Sequence, residues 1–155
     1  MEDKNNQFFY TCLEKQEALK REFASCLSRE AKYEKIIELG RVLPPFAEEE
    51  KVPENLIKGC QSIVYLSSKL DDGKLKFSAF SLALISSGLA MLLIKIYDGE
   101  TPETILKCPP LFLEELGIHA SLTPGRSNGL SSLYLRMKQD ALKFLVNIDQ
   151  SAHKL

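Results

Sequence analysis

Of the side chains in this 155-residue chain, Cys60 has the neighbours best suited to nucleophilic chemistry. It stands in the stretch Asn55–Leu66, Asn-Leu-Ile-Lys-Gly-Cys-Gln-Ser-Ile-Val-Tyr-Leu. Gly59 precedes it and accepts backbone angles that a larger residue refuses, so the chain can turn there and present a thiol. Gln61 and Ser62 place polar groups beside the sulfur. Leu56 and Ile57 lie before the turn, and Ile63, Val64, Tyr65 and Leu66 begin a β-prone run after it. A thiol in such a loop is a plausible nucleophile, with a reactivity set by its ionisation and access. Taken alone, these residues favour an inert packed cysteine at a strand start, because free cysteine is among the most buried residue types.

The other residues that could carry chemistry are scattered. Cys12 and Cys26 fall in helical patterns and read as packed side chains, and Cys108 stands just before Pro109-Pro110 at a helix end. The four cysteines form no C-x-x-C pair, and His119 and His153 sit at no ligand spacing from each other or from a cysteine. Structural zinc sites want four ligands, generally in close pairs, so no metal site is expected. The run Gly125-Arg126-Ser127-Asn128-Gly129 has the composition of an anion nest, with glycines to bare backbone N–H groups and an arginine to add charge. It matches no P-loop spacing, and a turn with a helix cap explains it as well.

These residues must be positioned by helices and a hairpin. Residues 7 to 27 read as a first helix, with Phe8, Phe9, Cys12, Leu19, Phe23, Cys26 and Leu27 mostly three or four apart. Ser28 caps a second helix that turns Tyr33, Ile36, Ile37 and Leu39 inward and stops near Gly40. Leu43-Pro44-Pro45-Phe46 breaks the chain, and Glu48-Glu49-Glu50 reads as a solvated turn. Ile63–Lys69 and Lys74–Phe80 read as two strands joined by Asp71-Asp72-Gly73, an antiparallel hairpin. No residue from Phe77 to Ile94 is charged, yet five polar or small residues dilute the run. A strand leading into a helix capped near Ser81 and buried against the sheet is therefore preferred to a membrane span. Ala83, Ser87, Gly88 and Ala90 would allow that helix a close approach. Asp98-Gly99 ends it. Thr101-Pro102-Glu103 opens another helix, Pro109–Leu116 forms a short one before Gly117, and the last is expected from Ser131 to Ile148, with residues 122–130 as a loop.

Hydrophobic residues make up 45% of the chain and charged residues 26%, ordinary values for a globular protein of one domain, here 1–155. Twenty basic and twenty-one acidic side chains leave a net charge of -1, which supplies no electrostatic case for nucleic acid or a membrane surface. Met1–Gln7 is polar and acidic where a secretory leader would be basic and then apolar. A cytoplasmic location with reduced thiols is the expectation.

Several of these stretches, taken together, resemble the SufE family of sulfur-acceptor proteins. They are Tyr33 with Ile36-Ile37-Glu38-Leu39-Gly40, Leu43-Pro44, Asn55 with Gly59-Cys60-Gln61-Ser62 and Val64, Gly88-Leu89, Leu122-Thr123-Pro124, and Arg126-Ser127-Asn128-Gly129-Leu130. The resemblance implies an α+β fold, a small antiparallel β-sheet packed on one side by α-helices, as in SufE and IscU. It implies an accessory protein of iron–sulfur cluster assembly rather than a stand-alone enzyme. Cys60 would accept sulfur from a cysteine desulfurase (SufS-like), stimulate that enzyme, and pass sulfur to a scaffold complex. The pyridoxal phosphate would belong to the desulfurase, and this chain would hold no cofactor and no metal. Gly59, Gln61, Ser62, Arg126, Ser127 and Asn128 would form the persulfide loop or partner surface.

Three positions depart from the family pattern. Tyr65 stands where many members carry tryptophan, Gly125 replaces a serine, and Leu82 in Ser81-Leu82-Ala83 replaces an acid. Loss of that acid removes about 0.3–1 kcal/mol of interaction with a helix N-terminus. Two other functions compete. An IscU-like scaffold binding a metal or cluster directly would need three cysteines converging with a further ligand, and Cys108 is the only other candidate beside Cys60. A cysteine-nucleophile hydrolase would need a histidine base, for which only His119 lies within the body of the chain.

Overall fold

A computed structural model describes residues 9–153. Helix α1 (Tyr10–Phe23) buries Cys12, Gln16, Leu19 and Phe23. Helix α2 (Arg29–Gly40) starts where Ser28 Oγ accepts the Ala31 N–H and turns Ile36 and Leu39 inward. Strands β1 (Val64–Asp71) and β2 (Lys74–Ser81) pair antiparallel from Val64↔Ser81 to Asp71↔Lys74. The two residues between them, Asp72 and Gly73, have φ of 51° and 75°. A two-residue hairpin loop with positive φ at both positions matches the twist of its strands, which is why Asp-Gly is so strong a hairpin signal.

Period-two alternation gives the hairpin two unlike faces. Val64, Leu66, Leu75, Phe77 and Ala79 are buried on one face, toward the helices. On the other, Tyr65 and Phe80 meet Phe46 at ring-centroid distances of 6.4 and 6.3 Å, and Lys51 Nζ lies 3.8 Å above the Phe80 ring. The Pro44-Pro45-Phe46 segment is thus a strap over the outer face.

Helix α3 (Leu84–Tyr97) is the centre of the core, with Leu89, Leu92, Leu93 and Ile96 all at 2% exposure or less. Each such side chain contributes about 1.5–3 kcal/mol by leaving water. Its small residues serve a helix crossing as well as the sheet. A Cβ on Gly88 would stand 2.0 Å from the Ile36 carbonyl oxygen of α2, and a Cβ on Gly40 would stand 2.6 Å from the Gly88 nitrogen. The expected Ser81 cap is offset: Ala83 is the N-cap residue, while Ser81 Oγ accepts the Ala83 N–H at 3.2 Å and Ser87 Oγ donates back to Ser81 O at 2.9 Å.

The chain then forms α4 (Pro102–Lys107, capped by Thr101), α5 (Phe112–Glu115), a 3-10 turn at His119–Ser121, and α6 (Pro124–His153). The final helix begins seven residues before the expected Ser131. Thr123 Oγ1 accepts the Arg126 N–H at 3.4 Å and Thr123 O accepts the Ser127 N–H at 2.9 Å, with Pro124 in the first turn. Residues 125–129 are therefore helical, and the expected loop and its anion nest are corrected. The first helix is shorter than expected, and residues 7 and 8 of that expectation lie outside the described residues. Among the described residues, no helix is long and apolar enough to cross a membrane.

Candidate functional site

A short pinched loop carries Cys60. The Ile57 N–H donates to Val64 O at 2.9 Å, and Leu56 bridges antiparallel to Tyr65, so residues 58–63 close on themselves at the edge of the hairpin. Gly59 makes the turn with φ of 86°, and a Cβ there would also stand 2.7 Å from Ser132 Oγ. The backbone requires glycine at this position, and the Ser132 hydroxyl would have to turn aside for any larger residue.

The first turns of α6 lie across the loop. Cys60 Sγ is 3.8 Å from the Gly129 carbonyl oxygen, to which the thiol donates weakly. Arg126 Nη1 donates to Ser62 Oγ at 2.8 Å and to Ser86 Oγ, on α3, at 2.9 Å. One guanidinium therefore pins together the cysteine loop, the core helix and α6. Cys60, Gln61, Val64, Ser86, Leu89, Gly125, Arg126, Gly129 and Leu133 enclose a cavity of about 10 Å³, roughly the volume needed to hold one water-sized atom. A broader groove of about 480 Å³ between Pro53–Lys58 and α6 adjoins the loop, but no cysteine lines it.

Two opposed effects set the thiol's ionisation. Burial pushes the Cys60 pKa up, and the nearby Arg126 charge offsets part of that shift. The sulfur is half-buried, so it is reached from one side only. Two of the other cysteines have a different setting, while Cys26 is part-buried like Cys60. Cys12 and Cys108 are 0% and 3% exposed, and Gln16 Nε2 lies 3.8 and 3.7 Å from their sulfurs. Hydrogen bonding with Cys108 and burial hold the Cys12 thiol far above its ordinary pKa. Burial closes both sulfurs off from solvent.

The residues expected around the thiol divide into two groups. Gln61 and Arg126 line the cavity beside it, Ser62 is joined to Arg126, and Gly59 makes the turn that carries it. Ser127 and Asn128 take no part, because 125, 126, 129 and 133 form the face of α6 that lines the cavity. Ser127 Oγ instead lies 2.6 Å from His119 Nδ1, and Asn128 is exposed. Ile63 is 66% exposed and Tyr65 turns to Phe46, while Val64, Leu89 and Leu133 cover the sulfur. The glycine at 125 leaves room for Gln61, whose Oε1 would stand 2.6 Å from a Cβ there. Ser86 and Leu133 escaped the sequence reading, and Leu89 and Gly129 entered it without a place at the thiol. Ser86 resembles any hydroxyl diluting an apolar helix, and only the partner Arg126 reveals its use.

The site is thus a half-buried thiol on a pinched loop, beside a hairpin packed on helices. The family model for the SufE Fe-S metabolism associated domain matches residues 17–141, and the chain belongs to this family. An uncharacterized SufE-like protein of Synechocystis sp. is 38% identical over 113 residues, which cover 73% of this chain and 71% of that protein. The solution structure of a hypothetical protein from Thermus thermophilus superposes with a TM-score of 0.70 at 26% identity, covering 85% of this chain and 96% of that one. The expected α+β architecture is the one observed: a two-stranded antiparallel sheet with helices.

Proposed function

We propose that this chain accepts sulfur on Cys60 from the persulfide of a pyridoxal-phosphate cysteine desulfurase and passes it toward an iron–sulfur cluster scaffold. The observation that carries the reading is the Cys60 cavity itself, a half-buried thiol beside Arg126 with room for about one more atom, in a chain of the SufE family.

In the acceptor step, Cys60 loses its proton to solvent and the thiolate attacks the terminal sulfur of the partner's persulfide. A Cys60–sulfur bond forms as the partner's S–S bond breaks, and the partner's cysteine leaves as a thiolate that takes up a proton. The sulfur moves without net oxidation or reduction, so one thiol serves as acceptor and then as donor. The arrangement supports each requirement. Arg126 stabilises the anion before attack and the persulfide anion after it. Val64, Leu89 and Leu133 keep small thiols from the product. Gly59 supplies a hinge through which the loop can swing toward a partner. Gln61 and Ser62 offer hydrogen bonds at the loop surface.

The test is desulfurase turnover with cysteine as substrate. Wild-type chain should raise alanine release several-fold, and Cys60→Ser should not. Equal stimulation by both would contradict the acceptor role.

A further inference from the structure

On the Cys60 loop and the segment tied to it stand three large apolar side chains that the fold leaves in solvent. Leu82 is 88% exposed, Ile63 66% and Leu84 59%. They are held in one place: Ser81 Oγ donates to Ile63 O at 2.8 Å and accepts the Ala83 N–H at 3.2 Å. The Arg126 guanidinium, reaching Ser62 at 2.8 Å and Ser86 at 2.9 Å, ties the residue before Ile63 to the second residue after Leu84. No charged side chain occurs between Phe77 and Ile94. A single exposed leucine is ordinary, but a cluster tied to the loop of a reactive group marks a contact surface.

We propose that Ile63, Leu82 and Leu84 form an apolar docking surface for the cysteine desulfurase, with Leu82, the most exposed of the three, as its principal anchor. The inference rests on the sulfur-acceptor reading and says where and how that partner seats. Attack on a persulfide needs the two sulfurs within about 3–3.5 Å and aligned. Because Cys60 is half-buried, a protein bringing that sulfur must cover the ground beside the opening. On the hairpin side, that ground is these three residues. The complementary surface is an apolar patch close to the partner's sulfur-bearing cysteine, into which Leu82 inserts while polar contacts remain at the border.

The test measures persulfide loading of Cys60 against concentration of the chain, with desulfurase and cysteine present. Leu82→Glu should raise the half-saturating concentration about tenfold or more. Its rate at saturation and its reaction with a small alkylating reagent should stay as in wild type, because Leu82 does not line the Cys60 cavity. Leu82→Met should behave as wild type. Leu135→Glu, at a leucine 52% exposed on α6, should also leave half-saturation unchanged. Wild-type half-saturation in both Leu82→Glu and Ile63→Glu would overturn the surface while leaving the acceptor role intact. Failure of wild-type Cys60 to load at any concentration would overturn the acceptor role and the surface with it.

Discussion

The thiol of Cys60 and the carbonyl of Gly129 face each other at 3.8 Å, although the residues are 69 positions apart. A Cβ on Gly129 would stand 3.6 Å from the same sulfur, an ordinary contact with no clash. The absent methyl group is therefore space at the sulfur. Gly129→Ala should keep the fold and gain up to about 1 kcal/mol from helix propensity. It should also shorten the lifetime of a Cys60 persulfide in the presence of a small thiol, because the added methyl occupies the cavity. A persulfide as durable as in wild type, read by mass over time, would show that this space does not protect it.

Burial and Arg126 act on the Cys60 thiol in opposite senses, and burial prevails. The thiol's pKa therefore lies above its ordinary value of 9.0, so alkylation of native Cys60 at pH 7 should be slower than in the denatured chain. The rate should climb about tenfold per pH unit through pH 8. Arg126→Gln removes the lowering charge and should move the curve to higher pH. A shift to lower pH would contradict the assigned role of the guanidinium.

Ser86 is a positioning residue that acts through Arg126. It is 5% exposed, and Arg126 Nη1 donates to it at 2.9 Å. Ser86→Ala should cost about 1 kcal/mol of stability and displace the Cys60 alkylation profile in the same direction as Arg126→Gln, by less. A stability loss with an unchanged profile would make Ser86 structural only.

The crossing of α2 and α3 is closed by Gly88, whose Cβ would stand 2.0 Å from backbone oxygen. Backbone cannot turn aside as a side-chain tip can, so Gly88→Ala should destabilise by about 3 kcal/mol in denaturant unfolding. Gly73→Ala meets no atom within 4 Å and is strained only by φ of 75°, so it should cost less, about 1 kcal/mol. A Gly88→Ala variant as stable as wild type would contradict the close packing.

How far the sequence foretold this arrangement depended on whether each signal was local. The hairpin was legible because Asp72-Gly73 has a turn chemistry of its own and flanking alternation sets the buried face. The start of α6 was not. Thr123-Pro124 is the same cap-and-proline signal that located Thr101-Pro102 correctly, but Gly125 and Gly129 lower helix propensity and drew the reading toward a loop. Packing against the Cys60 loop overrides that propensity and gives both glycines a use. Gly59-Cys60-Gln61-Ser62 singled out the thiol as a candidate only together with the downstream Arg126-Ser127-Asn128-Gly129-Leu130. Its cover was not legible, since Leu89 and Leu133 come from distant helices and carry no mark that separates them from other core leucines.

The most direct measurement is intact-mass analysis of the chain after incubation with desulfurase, cysteine and pyridoxal phosphate. Each transferred sulfur adds about 32 Da to a nucleophilic thiol. Wild type, Cys12→Ser, Cys26→Ser and Cys108→Ser should each gain one sulfur, and Cys60→Ser none. A gain that persists in Cys60→Ser and disappears in Cys108→Ser would contradict the assignment of Cys60 as the acceptor.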